Sequence, residues 1–286
     1  MNLPSEPAIS GPALEPRRTL GILGGLGPHA HVLLEHYLLE AARRWAGAVR
    51  DQDFPGWILS SIPQTPDRTA ALDPGGPDVL TPLIESLRSV EPAFDASGRR
   101  IRGADLVLIA CNTAHAFLDD LRASTSLPIL DMIEACSVEV ARQAGAGARV
   151  GLLATTGTLS SGLYHRSLTR HGLVAVSLLD AVGGETLQSD LVMDPVYGRP
   201  GIFEGLKTRG PAASREAVDR PREHLLEACR RLRDELRCEV LIAACTEIPL
   251  ALPGDHVEGL PLVDSLRILA RDAILRVYDL DPNPVS

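Results

Sequence analysis

Apolar residues along this chain fall into two alternating patterns. Short, nearly unbroken runs of Val, Leu, Ile and Ala occupy residues 19–23, 58–62, 105–110, 149–154, 174–179 and 239–244. Runs of that length, bounded by small or polar residues, predict strands buried on both faces, as in parallel sheets. Between most of them, apolar residues recur at helical spacing over 29–48, 82–90, 114–123, 133–144 and 221–236. Strands alternating with amphipathic helices predict an α/β fold, because parallel neighbours need a crossover and the crossover is usually a helix.

A weak repeat runs through this pattern. Leu20-Gly-Ile-Leu-Gly24 matches Val150-Gly-Leu-Leu-Ala154, and Asp105-Leu-Val-Leu-Ile-Ala-Cys111 matches Glu239-Val-Leu-Ile-Ala-Ala-Cys245. Leu127-Pro-Ile-Leu-Asp131 matches Leu260-Pro-Leu-Val-Asp264, and the three offsets lie between 130 and 134 residues. One pair of aliphatic strands means little, but three pairs in the same order at nearly one offset predict duplicated units. The expected fold is therefore two pseudo-symmetric lobes, each a parallel sheet flanked by helices, with the active site in the cleft between them. Residues 1–18, with prolines at 4, 7, 12 and 16, read as a flexible tail. Residues 19–128 with 262–286 read as the N-terminal lobe and 129–261 as the C-terminal lobe.

Charge and cysteine usage narrow the class of function. A net charge of −9 argues against nucleic acid or an anionic membrane as partner, and leaves room for a small anionic ligand in a locally basic pocket. No stretch approaches transmembrane length, and the N-terminus has no apolar signal segment. Five cysteines, odd in number and without a Cys-x-x-Cys pair, add the expectation of reduced thiols in a cytoplasmic protein. Of the 28 basic residues only Lys207 is a lysine. That makes it worth asking about, although a solvated cation is as good a reading from composition alone.

The repeat places Cys111 and Cys245 just past the ends of equivalent strands, where open parallel sheets bind ligands. Two facing lobes would bring two thiols to one ligand from opposite sides. That geometry suits racemisation: one thiolate takes the Cα proton while the other thiol returns a proton to the opposite face. Either cysteine alone reads as a small buried apolar residue; the pair, with polar neighbours Asn112, Thr113 and Thr246, reads as chemistry. Gly24-Gly-Leu-Gly-Pro28 is a loop opening a helix but lacks the full dinucleotide spacing, and Thr155-Thr-Gly-Thr158 is its repeat partner. Both can line a carboxylate pocket, and both are open to a plain turn reading. Pro63-Gln-Thr-Pro-Asp-Arg-Thr69 presents Gln64 and Arg68 on a loop, where an arginine suits a carboxylate but is more often solvated. His115 fits a Cys–His pair or, better, a capping role, and Glu247 either tunes Cys245 or orients its loop.

Together, residues 21–28, 63–69, 111–115, 153–158 and 245–247 resemble the aspartate/glutamate racemase family, in the family's order and over nearly the whole chain from residue 19. The paired cysteine motifs carry the specificity. The resemblance implies Cys111 and Cys245 as the two acid/base groups, no cofactor, a small amino-acid substrate and often a homodimer. It implies that Asn112, Thr113, Thr155, Thr156 and Thr246 surround the α-carboxylate and amino group. It further implies that Arg68, in the Pro-x-x-Pro-x-Arg-Thr segment, grips the distal carboxylate together with Lys207 of Ile202-Phe-Glu-Gly-Leu-Lys207. Departures fall at Leu26, where the family often has Met, and at 89–103, which is longer and more polar than expected. The expected activity is racemisation of an acidic amino acid, aspartate before glutamate. The other readings are a pyridoxal-phosphate enzyme using Lys207, a non-catalytic dicarboxylate-binding protein and, within the superfamily, maleate isomerase or hydantoin racemase.

Overall fold

The computed structural model describes residues 14–199, 201–209 and 215–280. In the first half, β1 (Leu20–Gly24) turns into α1 (Pro28–Ala46), which has Pro28 at its first position and a left-handed Gly47 at its end. β2 (Trp57–Ser61) and α2 (Leu80–Val90) follow, then a hairpin of β3 (Ala93–Phe94) and β4 (Arg100–Arg102), then β5 (Leu106–Ile109). A tight 3-10 turn, Thr113–Phe117, runs into α3 (Leu118–Ala123), and α4 (Met132–Gln143) completes this half.

The second half opens with β6 (Arg149–Leu153), α5 (Thr156–Ser160), α6 (Leu163–Arg170) and β7 (Val174–Val176). α7 (Gly184–Gln188) leads through a π-helical turn, Ser189–Met193, into α8 (Asp194–Tyr197). β8 (Gly198–Arg199) and β9 (Phe203–Glu204) pair antiparallel, and α9 (Leu206–Arg209) and α10 (Arg215–Asp234) follow. The chain closes with β10 (Val240–Ala243), α11 (Ile248–Ala251), β11 (His256–Val257), β12 (Leu260–Asp264) and α12 (Ser265–Val277).

The two larger sheets repeat one topology. The first runs β2-β1-β5, all parallel, and Ile129 extends it through a bridge to Val107. The second runs β7-β6-β10-β12 in parallel, with β11 antiparallel at the edge. Each repeat match thus occupies the same place in its sheet. The aspartates ending the third match do the same work: Asp131 caps α4 through Ile133 and Glu134, and Asp264 caps α12 through Leu266 and Arg267. Each cap contributes about 1 kcal/mol.

Period-2 burial sorts the strand residues into cores. Leu20, Ile22, Leu106 and Leu108 of the first sheet join Val150, Leu152, Val240 and Ile242 of the second in one cluster with α1, α4, α6 and α12. The opposite faces, including Val107 and Ile109 in one sheet and Leu241 and Ala243 in the other, pack under α2–α3 and under α8 and α10 respectively. The helices after the equivalent strands change sides. α12 leaves the second sheet and packs on α1, while α4 leaves the first and packs on α6; α4 and α12 also pack on each other.

Several boundaries differ from the expected ones for local reasons. The helix expected at 82–90 begins at Leu80, because the Asp78 carboxylate accepts the Leu80 and Thr81 amides. The one expected at 221–236 begins at Arg215, with Pro221 inside it instead of at its start. Residues 114–123 divide between the 3-10 turn and α3. The long polar segment 89–103 contains the β3–β4 hairpin. Of the expected tail, residues 1–13 lie outside the described residues, whereas Leu14 and Arg17 donate their amides to Ala46 and Val277. Residue 262 lies inside β12, in the second sheet.

Candidate active site

Both motif cysteines lie two residues beyond equivalent strands, Cys111 after β5 and Cys245 after β10. They are 4% and 5% exposed. All five cysteines are free thiols. What distinguishes this pair from Cys136, Cys229 and Cys238 is its place past the ends of equivalent strands: Cys136 and Cys229 lie inside α4 and α10, and Cys238 precedes β10.

Cys111 lies against the guanidinium of Arg68. Burial by itself would lower that guanidinium, but the charge and hydrogen bonding of Cys111, followed by Asp67, outweigh it and raise the group. The same side chain donates to the carbonyls of Pro66 (3.0 Å) and Leu26 (2.5 Å), which ties loop 63–69 to the glycine loop. Its Nε is buried without a hydrogen-bond partner among the described residues. Cys245 meets the opposite charge. Its thiol donates to Glu247 Oε2 at 3.1 Å, and Thr246 donates to the same oxygen at 2.9 Å. Burial first and Glu247 second push the Cys245 thiol well above the ordinary range, against the lowering pull of Lys207.

Lys207 sits on α9 with Nζ 4.8 Å from the centre of the Tyr197 ring. Burial alone would lower its ammonium, yet Glu247, Tyr197, Cys245 and Cys111 together raise it. The single lysine is therefore coupled to both thiols. The Tyr197 hydroxyl donates to Asp67 Oδ2 at 3.1 Å, so the segment carrying Lys207 touches the loop carrying Arg68. Gly157 permits a second contact of that loop with the other half: a Cβ there would stand 2.6 Å from Thr69 Oγ1.

The remaining expected residues divide. Thr113 and Thr155 come together across the halves with Thr158, their hydroxyls 2.8–3.2 Å apart. Thr156 reaches the site's rim, where its amide points at the Met193 sulfur (3.3 Å). Asn112 is engaged by the protein: Tyr164 donates to its Oδ1 at 2.7 Å, and its Nδ2 donates to Ser265 Oγ at 3.0 Å. Ser265 in turn donates to the Ala243 carbonyl at 2.9 Å, two residues before Cys245. Gln64 is exposed on its loop. His115 is held at both ring nitrogens, at 2.8 Å from the Cys111 carbonyl and 3.2 Å from the Met132 amide, which fits capping and leaves no Cys–His pair. Sequence reasoning missed Tyr164, Ser265, Tyr197 and Met193, and no spacing rule singles them out. Thr158, inside a quoted motif, was within reach.

Two buried thiols thus stand at matching strand ends, one beside an arginine and the other beside a glutamate, in an α/β fold that solved racemases share. Solved structures of similar fold include aspartate racemase of Picrophilus torridus (TM-score 0.68, 23% identity, covering 92% of this chain and 94% of that one). They also include an aspartate racemase homologue from Pyrococcus horikoshii OT3 (TM-score 0.61, 23% identity, 91% and 99% covered). In sequence, the broad specificity amino-acid racemase RacX of Bacillus subtilis (strain 168) is 22% identical over 263 residues, covering 89% of this chain and 96% of that one. Glutamate racemase of Corynebacterium glutamicum is 27% identical over 201 residues, 64% of this chain and 62% of that protein. Residues 23–273 match the profile of the Asp/Glu/hydantoin racemase family, and the chain belongs to that family. Among the described residues, no helix is long and apolar enough to cross a membrane.

Proposed function

We propose that this protein is a cofactor-independent racemase of an acidic amino acid, aspartate in preference to glutamate, in which Cys111 and Cys245 exchange the Cα proton from opposite faces. The observation that carries the reading is the paired placement of two buried motif thiols, with the single lysine coupled to both. Burial and Glu247 keep Cys245 as a thiol at neutral pH, ready to give a proton. Cys111, beside Arg68, is then the base that opens the reaction on one enantiomer, and the roles reverse on the other. The carbanion that forms needs oriented positive charge and donors in a site with little water. Arg68, Lys207 and the Thr113–Thr155–Thr158 hydroxyls supply them.

Two cations near the thiols favour a substrate with two carboxylates over a hydantoin ring, which carries fewer negative groups. Lys207 held as an ammonium weighs against the pyridoxal-phosphate reading, since a Schiff-base lysine must shed its proton to attack. The test is proton NMR of L-aspartate and L-glutamate in D2O with purified protein and no added cofactor. Loss of the Cα–H signal, with deuterium in the D-enantiomer, is the expected result. Absence of exchange with both amino acids would refute the proposed substrate class.

A further inference from the structure

Glu247 does more in this site than accept the Cys245 thiol. It is 1% exposed, and its two oxygens differ. Oε2 takes both the Cys245 and Thr246 donors, while Oε1 is buried with no donor among the described residues. A buried carboxylate oxygen without a donor is costly, and such groups persist where a ligand supplies what the fold does not. Oε1 faces Gly27, where a Cβ would stand 2.0 Å from it. The free oxygen thus lies against the glycine loop, whose Leu26 carbonyl is held by Arg68 beside Cys111.

Charge matching says what belongs there. A dicarboxylic amino acid carries two carboxylates, which Arg68 and Lys207 can balance, and one ammonium, which needs an anion. Asp67 is occupied, its Oδ1 by the Ala70 amide and its Oδ2 by Tyr197. We infer that Glu247 Oε1 receives the substrate's α-ammonium group, making Glu247 the residue that distinguishes an amino acid from the corresponding plain dicarboxylate. This inference rests on the acidic amino-acid reading of the site.

The experiment is isothermal titration calorimetry of the full chain with L-aspartate and with succinate, which has the same two carboxylates and no ammonium. Wild type is expected to bind L-aspartate at least about tenfold more tightly than succinate. Glu247→Gln keeps an acceptor for Cys245 and Thr246 but removes the charge. It is expected to weaken L-aspartate by about ten- to hundredfold while succinate binds equally or more tightly, because the site has lost a repelling anion. A merely structural role would weaken both ligands together, and that result overturns the inference. So does wild-type binding of the two ligands with equal affinity, a comparison that needs no variant and leaves the acidic-substrate reading standing. Wild type that binds neither ligand overturns both.

Discussion

Tyr164→Phe removes one oxygen from the middle of the buried chain that joins the two cysteine loops. Tyr164 is 1% exposed, and its ring is packed in the core shared by both sheets, so phenylalanine keeps the shape. What it loses is the 2.7 Å donation to Asn112 Oδ1, on a residue 2% exposed, together with its hydrogen bond to the Cys136 thiol. Leaving a buried acceptor unmet costs about 1–3 kcal/mol. For a chain of this length the unfolding entropy at the midpoint is about 0.6 kcal/mol/K, so Tm should fall by roughly 2–5 °C. The same bond holds Asn112 on Ser265, and Ser265 on the Ala243 carbonyl, so kcat should fall along with stability. Differential scanning calorimetry on Tyr164→Phe, Ser265→Ala and the double variant measures both the loss and its sharing. Residues in one network couple by about 0.5–3 kcal/mol. An unchanged Tm for Tyr164→Phe, or strictly additive losses in the double variant, would refute the idea that this chain fixes the spacing of the two cysteine loops.

Further outcomes follow from the same geometry. Cys111→Ser and Cys245→Ser should each lower racemisation by at least about 10² while retaining the wild-type melting curve, read by polarimetry and circular dichroism; full activity in either would remove the two-base scheme. Arg68→Met should raise KM for L-aspartate more than for an amino acid without a side-chain carboxylate, in steady-state assays on both. Gly27→Ala puts a Cβ 2.0 Å from Glu247 Oε1 at a φ of +140°, so it should displace Glu247 and abolish activity, while Gly75→Ala, where nothing lies near, should cost stability only. Glu134 joins α4 to α6 and sits at about 2: burial would raise it, but hydrogen bonds from Ser167, His171 and Arg170 outweigh burial. A depressed carboxyl contributes stability above its ordinary 4.5 that is lost as pH falls toward 2. Tm of the wild type should therefore drop more steeply over that window than Tm of Glu134→Gln, and parallel curves would contradict the assignment.

The inner strands were legible because burial on both faces leaves unbroken aliphatic runs and because the duplication printed β1 and β5 again as β6 and β10; the edge strands β2 and β7 are partly exposed instead, and β7 stops at Val176. Cys111 and Cys245 stood out for the same reason, and Lys207 stood out by rarity. What stayed hidden depends on contacts far apart in sequence. Nothing near Asn112 signals that Tyr164 and Ser265 will use both ends of its amide, 52 and 153 positions away. Nothing in the tract around Tyr197 says that its hydroxyl will meet Asp67, 130 positions away. The start of α10 was hidden differently: Pro221 suits a first turn, and only the whole fold shows that it stands inside the helix.

The exchange of α4 and α12 bears on how a ligand gets in. Many two-part proteins admit substrate by swinging their halves about a hinge, which requires a thin seam between them. Here the halves share one continuous core, which takes strand residues from both sheets and is crossed by both exchanged helices. Rotating the halves apart would expose that core, at a cost no small ligand can offset. Passage therefore belongs to the rim, where the loop bearing Arg68 and the segment bearing Lys207 meet through the Tyr197–Asp67 bond and the Thr69–Gly157 contact. On the proposed function, the pieces of chain that would admit the substrate also carry Arg68 and Lys207, so entry, recognition and release would be governed by one short stretch of surface above fixed thiols.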